Sequence, residues 1–495
     1  FSGKIFSLRW LTSFYNLGFA EDTGIMKKNI FTDSLKTRTN EDGSDFNQVI
    51  KELFEVLDIN TINRSGKAEW LLEFPYVNGK LFEEILPMAS FDSKMRKALL
   101  DCCYIDWSKI SPAIFGSMFQ GVISEEKRGN LGMHYTSVPN IMKVIKPLFL
   151  DELYEELEKA RGDNKKLNAL LLRVRNIKIF DPACGSGNFL IIAYKELRRL
   201  EMTILEEQKK YQMILFSSEI KLNHFYGIEI DDFACEIAKL ALWLAEHQMH
   251  IESFKKFGQQ QAILPLQEAG NIVCGNATRL DWDEVCPKTS LDEIYLLGNP
   301  PYLGARLQNK IQKEDMKIVF ESIKLYTNLD YISCWFYKGT KYISNFNCKL
   351  AFVTTNSICQ GEQVSVFWSN IFKKDIEISY AYQSFKWTNN AKGNAGVTVV
   401  IIGLENKTSN LKKLYNNQFV KTVKNINGYL IEGSNISIEK RKKPFIDIPK
   451  MSYGNYTGGC NELLLSKAFE HIPILADPSS TLLIPTLDPP PCTLI

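Results

Sequence analysis

The sequence predicts an α/β protein: a Rossmann-like sheet of seven strands, preceded by a helical domain. Three observations carry this. From Ile177 onward, short apolar runs alternate with longer stretches of helical period, as in strands joined by covering helices. A glycine-bearing turn, Asp181 to Gly187, follows the first run and leads into a helix. Residues 1–115 instead read mainly as helices, with apolar positions three or four apart.

The helical part is predicted to include Phe46–Leu57, Gly79–Leu86 and Asp92–Ile105. Glu21 and Asp22, in "FAEDTGI", read as acidic residues at a helix end rather than as a site. In "RGNLGMHYTSVPN" the chain becomes loop-like, and "TSVP" supplies a hydroxyl cap and an early helical proline. A helix follows from about Pro139 to Leu157, bent at Pro147. Strands are expected at Ile177–Phe180, Phe225–Ile230, Ile272–Cys274, Ile294–Leu297, Leu350–Thr354, Ile378–Gln383 and Val397–Gly403. Helices are expected at Asn188–Lys209, Phe233–Glu246 and near Glu362–Phe372. The last two strands lack a crossover helix between them, so they should be antiparallel neighbours. "EKRKKP", Glu439 to Pro444, reads as a solvated charge run, and the proline-rich end has no clear element pattern.

Composition excludes several classes. The 495 residues are 45% hydrophobic, enough for two or three domains with buried cores. Charged residues are 23%, which argues against a disordered or fibrous chain. No apolar run has the length of a membrane span, and no signal peptide is evident. The first residue, Phe1, suggests a fragment of something longer. The net charge of +2 says little, because a nucleic-acid enzyme of this balance would gather its basic residues on one face. The eleven cysteines are scattered without a Cys-x-x-Cys pair, so they read as reduced cytoplasmic thiols. His247 and His250 have no third ligand nearby and read as a helix end; no metal is expected.

The turn "DPACGSG" is not built for a dinucleotide. Leu190 stands where a third glycine would be needed, and the phosphate-binding lysine motif is absent. The first strand runs into a carboxylate, Asp181, which would repel phosphate but suits a cation. The second strand ends "YGIEIDD", placing Glu229, or secondarily Asp231, to accept from ribose hydroxyls. Together these features point to an adenosine ligand that carries a positive charge and no pyrophosphate: S-adenosyl-L-methionine.

"LGNPPYLG" then ends another strand on the same sheet edge, so Asn299, Pro300, Pro301 and Tyr302 would face that ligand. An exocyclic nucleobase amine is a poor nucleophile, because its lone pair is delocalised into the ring. Two acceptors gripping its N–H groups would localise that pair. The Asn299 side-chain oxygen and the Pro300 carbonyl are the candidates, with the prolines fixing the backbone. Tyr302 offers a ring for stacking, and a base in a duplex would have to be flipped out.

These motifs, in this order, resemble the N6-adenine DNA methyltransferases of the gamma arrangement. Within them the sequence resembles the MmeI-like group of fused type IIG/IIL restriction–modification enzymes. "FAEDTGI" and "DWSKISPAIFGSMFQGV" resemble its helical spacer. "LGMHYTS", "FDPACGSGNFL", "YGIEIDDFACEIAKLALWLAEHQM", "GNPPYLG" and "WTNNAKGNAGVTVVIIGL" resemble its methyltransferase domain. The resemblance implies that His134, Tyr135 and Thr136 line the methionine end of the cofactor. It implies that Asp181, Ala183, Gly185 and Gly187 hold its amino acid and ribose, and Glu229 the ribose hydroxyls. Phe385 or Trp387, in the loop before the last strand, would pack on the flipped base. Asn276 stands where the group often has aspartate, and it could still bond an adenine ring.

The implied organisation is a helical spacer over 1–115, a methyltransferase domain over 116–405, and the start of a target-recognition region over 406–495. The implied partner is double-stranded DNA, in a bacterial or archaeal cytoplasm. Nuclease and target-recognition domains are expected in the full-length protein. The implied reaction is methyl transfer to adenine N6 in a specific DNA sequence, as part of a restriction–modification system. Alternatives are the modification subunit of a multi-subunit system, an RNA or protein methyltransferase using the same tetrapeptide, and a catalytically silent DNA-binding scaffold.

Overall fold

The computed structural model describes residues 13–14, 17–76, 90–114, 136–211, 218–258, 270–387, 398–416 and 419–436. The expected helix at Gly79–Leu86, His134, Tyr135, the basic run Glu439–Pro444 and the proline-rich end lie outside them.

The first part is helical. Residues 17–22 form a helix, followed by α1 (Ile30–Arg38), α2 (Phe46–Asp58) and α3 (Ser93–Cys103). Phe46, Ile50, Leu53 and Leu57 fall on one face of α2 and are buried with Phe31 and Leu35 of α1. Glu21 and Asp22 do end the first helix, but both also bind elsewhere. Glu21 is buried, and its Oε1 accepts from the Phe31 N–H at 2.7 Å and the Thr32 N–H at 3.3 Å, tying down the start of α1. Asp22 accepts from the Trp107 N–H at 2.7 Å.

The second part is a nine-stranded sheet. Its strands are β1 (Lys178–Asp181), β2 (Phe225–Glu229), β3 (Asn271–Cys274), β4 (Ile294–Gly298), β5 (Cys348–Thr355), β6 (Ile376–Lys386), β7 (Thr398–Asn406), β8 (Lys412–Tyr415) and β9 (Val420–Val423). They lie in the order β3-β2-β1-β4-β5-β7-β6-β8-β9. The first five are parallel. β7 is antiparallel to both β5 and β6, as the missing crossover helix required. Alternation along the strands supplies both faces. Ile179, Tyr295, Leu297, Ala351 and Val353 enter one apolar layer, and Phe180, Ile294, Leu296, Leu350 and Phe352 the other.

The first layer is covered by α4 (Val138–Ile145), α5 (Asp151–Ala160), α6 (Asn164–Asn176), α7 (Asn188–Lys209) and α8 (Asp232–Phe257). α4 and α5 are joined through a π-helical turn, Lys146–Leu150, so Pro147 is absorbed by a wider turn. Ser137 holds the N-cap position of α4, but its hydroxyl makes no capping bond. The second layer is covered by α9 (Lys310–Val319), α10 (Ser333–Ile343) and a broken helix spanning residues 361–372, whose middle turn, Val364–Trp368, is π-helical.

His247 and His250 lie inside α8, which continues to Phe257, rather than at a helix end. Beyond Glu246 the helix still buries His247, Met249 and Ser253, mostly polar positions that the apolar pattern of the sequence does not mark. His247 Nε2 lies 3.3 Å from the Thr23 carbonyl, and Gln248 Nε2 donates to the Ile110 carbonyl at 2.9 Å. Phe19 is fully buried in the same layer. These contacts fasten the helical part to α8.

Two strands exceed the seven expected. β8 pairs in parallel with β6, and β9 is antiparallel to β8. Lys412 of β8 is buried and pairs with Glu377 of β6, and its Nζ lies 3.4 Å from Glu405 of β7. Removing the cation would leave two buried carboxylates without it. Lys412→Ala should therefore cost roughly 3 kcal/mol. Denaturant unfolding checks this, and an unchanged midpoint would show that the pairing contributes nothing net.

Candidate active site

Strand order reverses between β1 and β4, and in open α/β sheets ligands collect outside the carboxyl ends of strands at such a point. Asp181 ends β1, Glu229 ends β2, and Asn299 directly follows β4. The topology therefore brings the glycine-bearing turn and the Asn-Pro-Pro-Tyr segment to one edge.

Asp181 is wholly buried. Its Oδ1 accepts from the Ala183 N–H at 3.0 Å, and its Oδ2 has no partner among the described residues. Burial pushes its pKa up to about 8, against the Ala183 hydrogen bond and with the Glu229 charge adding to the rise. Among the described residues no cation offsets this carboxyl, and burial without an ion pair disfavours its charged form.

Gly298 is what lets β4 pass so close. A Cβ there would sit 2.5 Å from Asp181 Oδ1, so a side chain would collide with the carboxylate. Gly187, the N-cap of α7, has φ +83°, and a Cβ there would press on Ala238 of α8 at 3.2 Å. The turn between them is fastened from both sides. The Cys184 N–H donates to the Ile228 carbonyl at 3.0 Å, and the Trp335 indole N–H donates to the Pro182 carbonyl at 3.0 Å.

Glu229 holds the same turn. Its Oε2 accepts from the Gly185 N–H at 3.0 Å, and its Oε1 from the N–H groups of Ile230 and Asp231, each at 2.9 Å. Burial raises its pKa, opposed by these amides. Asp231, the secondary candidate, caps α8 by accepting from the Ala234 N–H at 2.9 Å.

Across the switch point, Asn299 Nδ2 donates to Thr136 Oγ1 at 3.4 Å. Its Oδ1 is buried and has no partner among the described residues. One end of the amide is thus held by a buried threonine, and the acceptor end is left open. Pro300 is buried, and Pro301 and Tyr302 are half-buried. The Tyr302 hydroxyl is pushed up to about 12, by burial first and then by Asp330.

The structure thus gathers Thr136, Asp181, Ala183, Gly185, Gly187, Glu229 and Asn299 to Tyr302 at one edge. Three expectations change. Asn276 turns its side chain into a different network: Oδ1 accepts from the Thr278 N–H and hydroxyl, and Nδ2 donates to Asp315 Oδ2 at 3.1 Å. Phe385 lies in β6 rather than in the following loop, and both it and Trp387 are buried in the helical layer. Lys143 Nζ sits 4.2 Å from the Phe385 ring centroid, so that ring face is already covered. The Trp387 indole N–H has no partner among the described residues. Gly298, Trp335 and Asp330 were missed. Only Gly298 had a signal in the sequence, as a glycine between a strand and a rigid tetrapeptide. Among the described residues, no cluster of three His, Cys, Asp or Glu side chains could hold a metal ion, and no helix is long and apolar enough to cross a membrane.

Comparison with known proteins identifies the family. The family described as MmeI, DNA-methyltransferase domain, matches residues 157–416, and the MmeI helicase spacer domain matches residues 4–82. DNA methyltransferase A of Bacillus subtilis is 51% identical over 468 residues, which is 93% of this chain and 52% of that protein. A putative type II restriction enzyme and methyltransferase of Methanocaldococcus jannaschii is 29% identical over 356 residues, covering 60% of this chain and 29% of its own. The solved structure of the type IIL restriction–modification enzyme MmeI in complex with DNA aligns with a TM-score of 0.83 at 44% identity, over 90% of this chain and 61% of that one. The chain therefore spans about half the length of the Bacillus relative. With more than half of its residues matched by the methyltransferase-domain family, and the carboxylate and amide at the strand switch, the chain belongs to the MmeI DNA-methyltransferase family.

Proposed function

We propose that this chain is the catalytic part of an S-adenosyl-L-methionine-dependent DNA methyltransferase that modifies adenine at N6 within a restriction–modification protein. The observation that carries the reading is the open Asn299 Oδ1, on an amide held by Thr136, next to a buried carboxyl with no cationic partner. Double-stranded DNA is the partner. The helical spacer occupies 1–115 and the methyltransferase domain 116–405, with β8 and β9 extending the sheet into the region expected to begin target recognition.

Bound cofactor would supply an electrophilic methyl group. Asp181 would hold its cationic methionine end, with Thr136 on that side and Gly185 and Gly187 letting the backbone approach. Glu229 has unused lone pairs for ribose hydroxyls while it anchors the turn. Asn299 Oδ1 and the Pro300 carbonyl accept from the amine of a flipped adenine, aligning its lone pair with the methyl group. These acceptors are fixed in advance, so little reorganisation is needed as positive charge develops on the nitrogen. Tyr302 stacks on the base.

Asn299→Ala removes one preorganised acceptor. It should lower methyl transfer by roughly 3 kcal/mol of barrier while leaving cofactor affinity near native. Tritium transfer to DNA and calorimetry read these separately, and near-native turnover would refute the mechanism.

Asp181 gives a pH prediction. Its folded pKa is raised, so the free protein holds this proton more tightly than the unfolded chain. That contribution to stability is fully present below the ordinary carboxylate value and is lost as pH rises towards about 8. Cofactor binding needs the ionised form, so affinity should strengthen over the same window with release of a proton. Asp181→Asn should melt higher than the native chain near pH 8 without cofactor, and should bind cofactor poorly. Equal melting temperatures, together with pH-independent binding, would reject this account.

A further inference from the structure

Asp330 is buried beneath the Asn-Pro-Pro-Tyr segment and has no role in the chemistry derived so far. It sits just ahead of α10. Its Oδ1 accepts from the Leu303 N–H at 2.8 Å and from the Ile332 N–H at 3.2 Å. Its Oδ2 accepts from the Ser357 hydroxyl at 3.3 Å, and Ser357 Oγ lies 2.7 Å from the hydroxyl of Thr355, the last residue of β5. One carboxyl group therefore ties together the segment leaving β4, the start of α10 and the end of β5.

The residue it grips immediately follows Tyr302. Leu303 is held at both ends of its backbone: its N–H by Asp330, and its carbonyl by the Tyr331 N–H and Gln308 Nε2, each at 3.0 Å. Gln308 Nε2 also donates to the Leu329 carbonyl at 3.0 Å. Two prolines stiffen the segment before the tyrosine, and this clamp fixes it afterwards. A stacking ring between two fixed points has little freedom to drift. A buried carboxyl is costly unless hydrogen-bonded, and here the hydrogen bonds go to the segment that must not move.

We propose that Asp330 is a positioning residue for the target base, acting through Leu303 to hold Tyr302 and the Pro300 carbonyl in register with the methyl donor. The inference rests on the adenine-methyltransferase reading of the site. It concerns geometry rather than charge, because an asparagine could keep the Oδ1 acceptor that receives both N–H groups.

The test uses the full chain with plasmid DNA from a host lacking adenine methylation. Sequencing locates the modified position, and a duplex carrying 2-aminopurine there reports base extrusion by fluorescence. Asp330→Ala should lower kcat by roughly a hundredfold and weaken the fluorescence rise, with calorimetric affinity for S-adenosyl-L-methionine unchanged. Asp330→Asn should keep most of both signals. Unchanged cofactor binding shows that the fold persists, and a loss of it in the alanine variant would mark a merely structural role and overturn the proposal. Native-like extrusion and kcat in Asp330→Ala would overturn it, as would an asparagine variant as impaired as alanine. Absence of DNA methylation by the native chain would instead overturn the functional reading on which it rests.

Discussion

The site depends on the near-contact between the end of β1 and the end of β4. There the Gly298 backbone passes close enough to Asp181 that no side chain would fit between them. This contact sets the separation of the glycine-bearing turn from the Asn-Pro-Pro-Tyr segment. It also keeps Asp181 dry, and dryness gives that carboxyl its unusual proton affinity. Wider spacing would admit water, relax the carboxyl and pull Asn299 away from Thr136.

Around this point the structure invests in rigidity. The Asp181–Gly187 turn is bonded to β2 through Cys184, to α10 through Pro182 and to Glu229 through Gly185. The residues after Tyr302 are bonded to Asp330 and Tyr331. Both halves thus lean on α10, which supplies Trp335 to one and follows Asp330 at its start. Electrostatic preorganisation of this kind works only when the groups are held by something other than the ligand.

Most of the sheet was legible in the sequence because its strands are short apolar runs set between helical stretches and its turns carry glycine and proline. Asp181, Glu229 and Asn299 could be placed because each ends a strand, and strand ends of a parallel sheet share an edge. The rest was hidden for identifiable reasons. β8 carries Lys412, a residue that reads as solvent-facing until two glutamates from other strands are known to meet it. Asp330 reads locally as a residue bonding the start of a helix through the Ile332 N–H, and its other partners, Leu303 and Ser357, lie far along the chain. Asn276 was expected near the ligand for its position in the order of motifs. Its amide bonds Thr278 and Asp315, partners that sequence order cannot reveal. Phe385 was misplaced because β6 runs longer than its pattern of alternation.

The two outermost strands, β3 and β9, have four residues each. A sheet this wide could present long rows of unpaired amides at its rims, which are templates for an added strand. Brevity limits each rim to a few such groups. On β9 the central Lys421 is exposed and ion-paired with Glu432 at 2.7 Å, placing charge where an incoming strand would have to desolvate it. The sheet can thus grow broad enough to carry its site near the middle without becoming a template for its own aggregation.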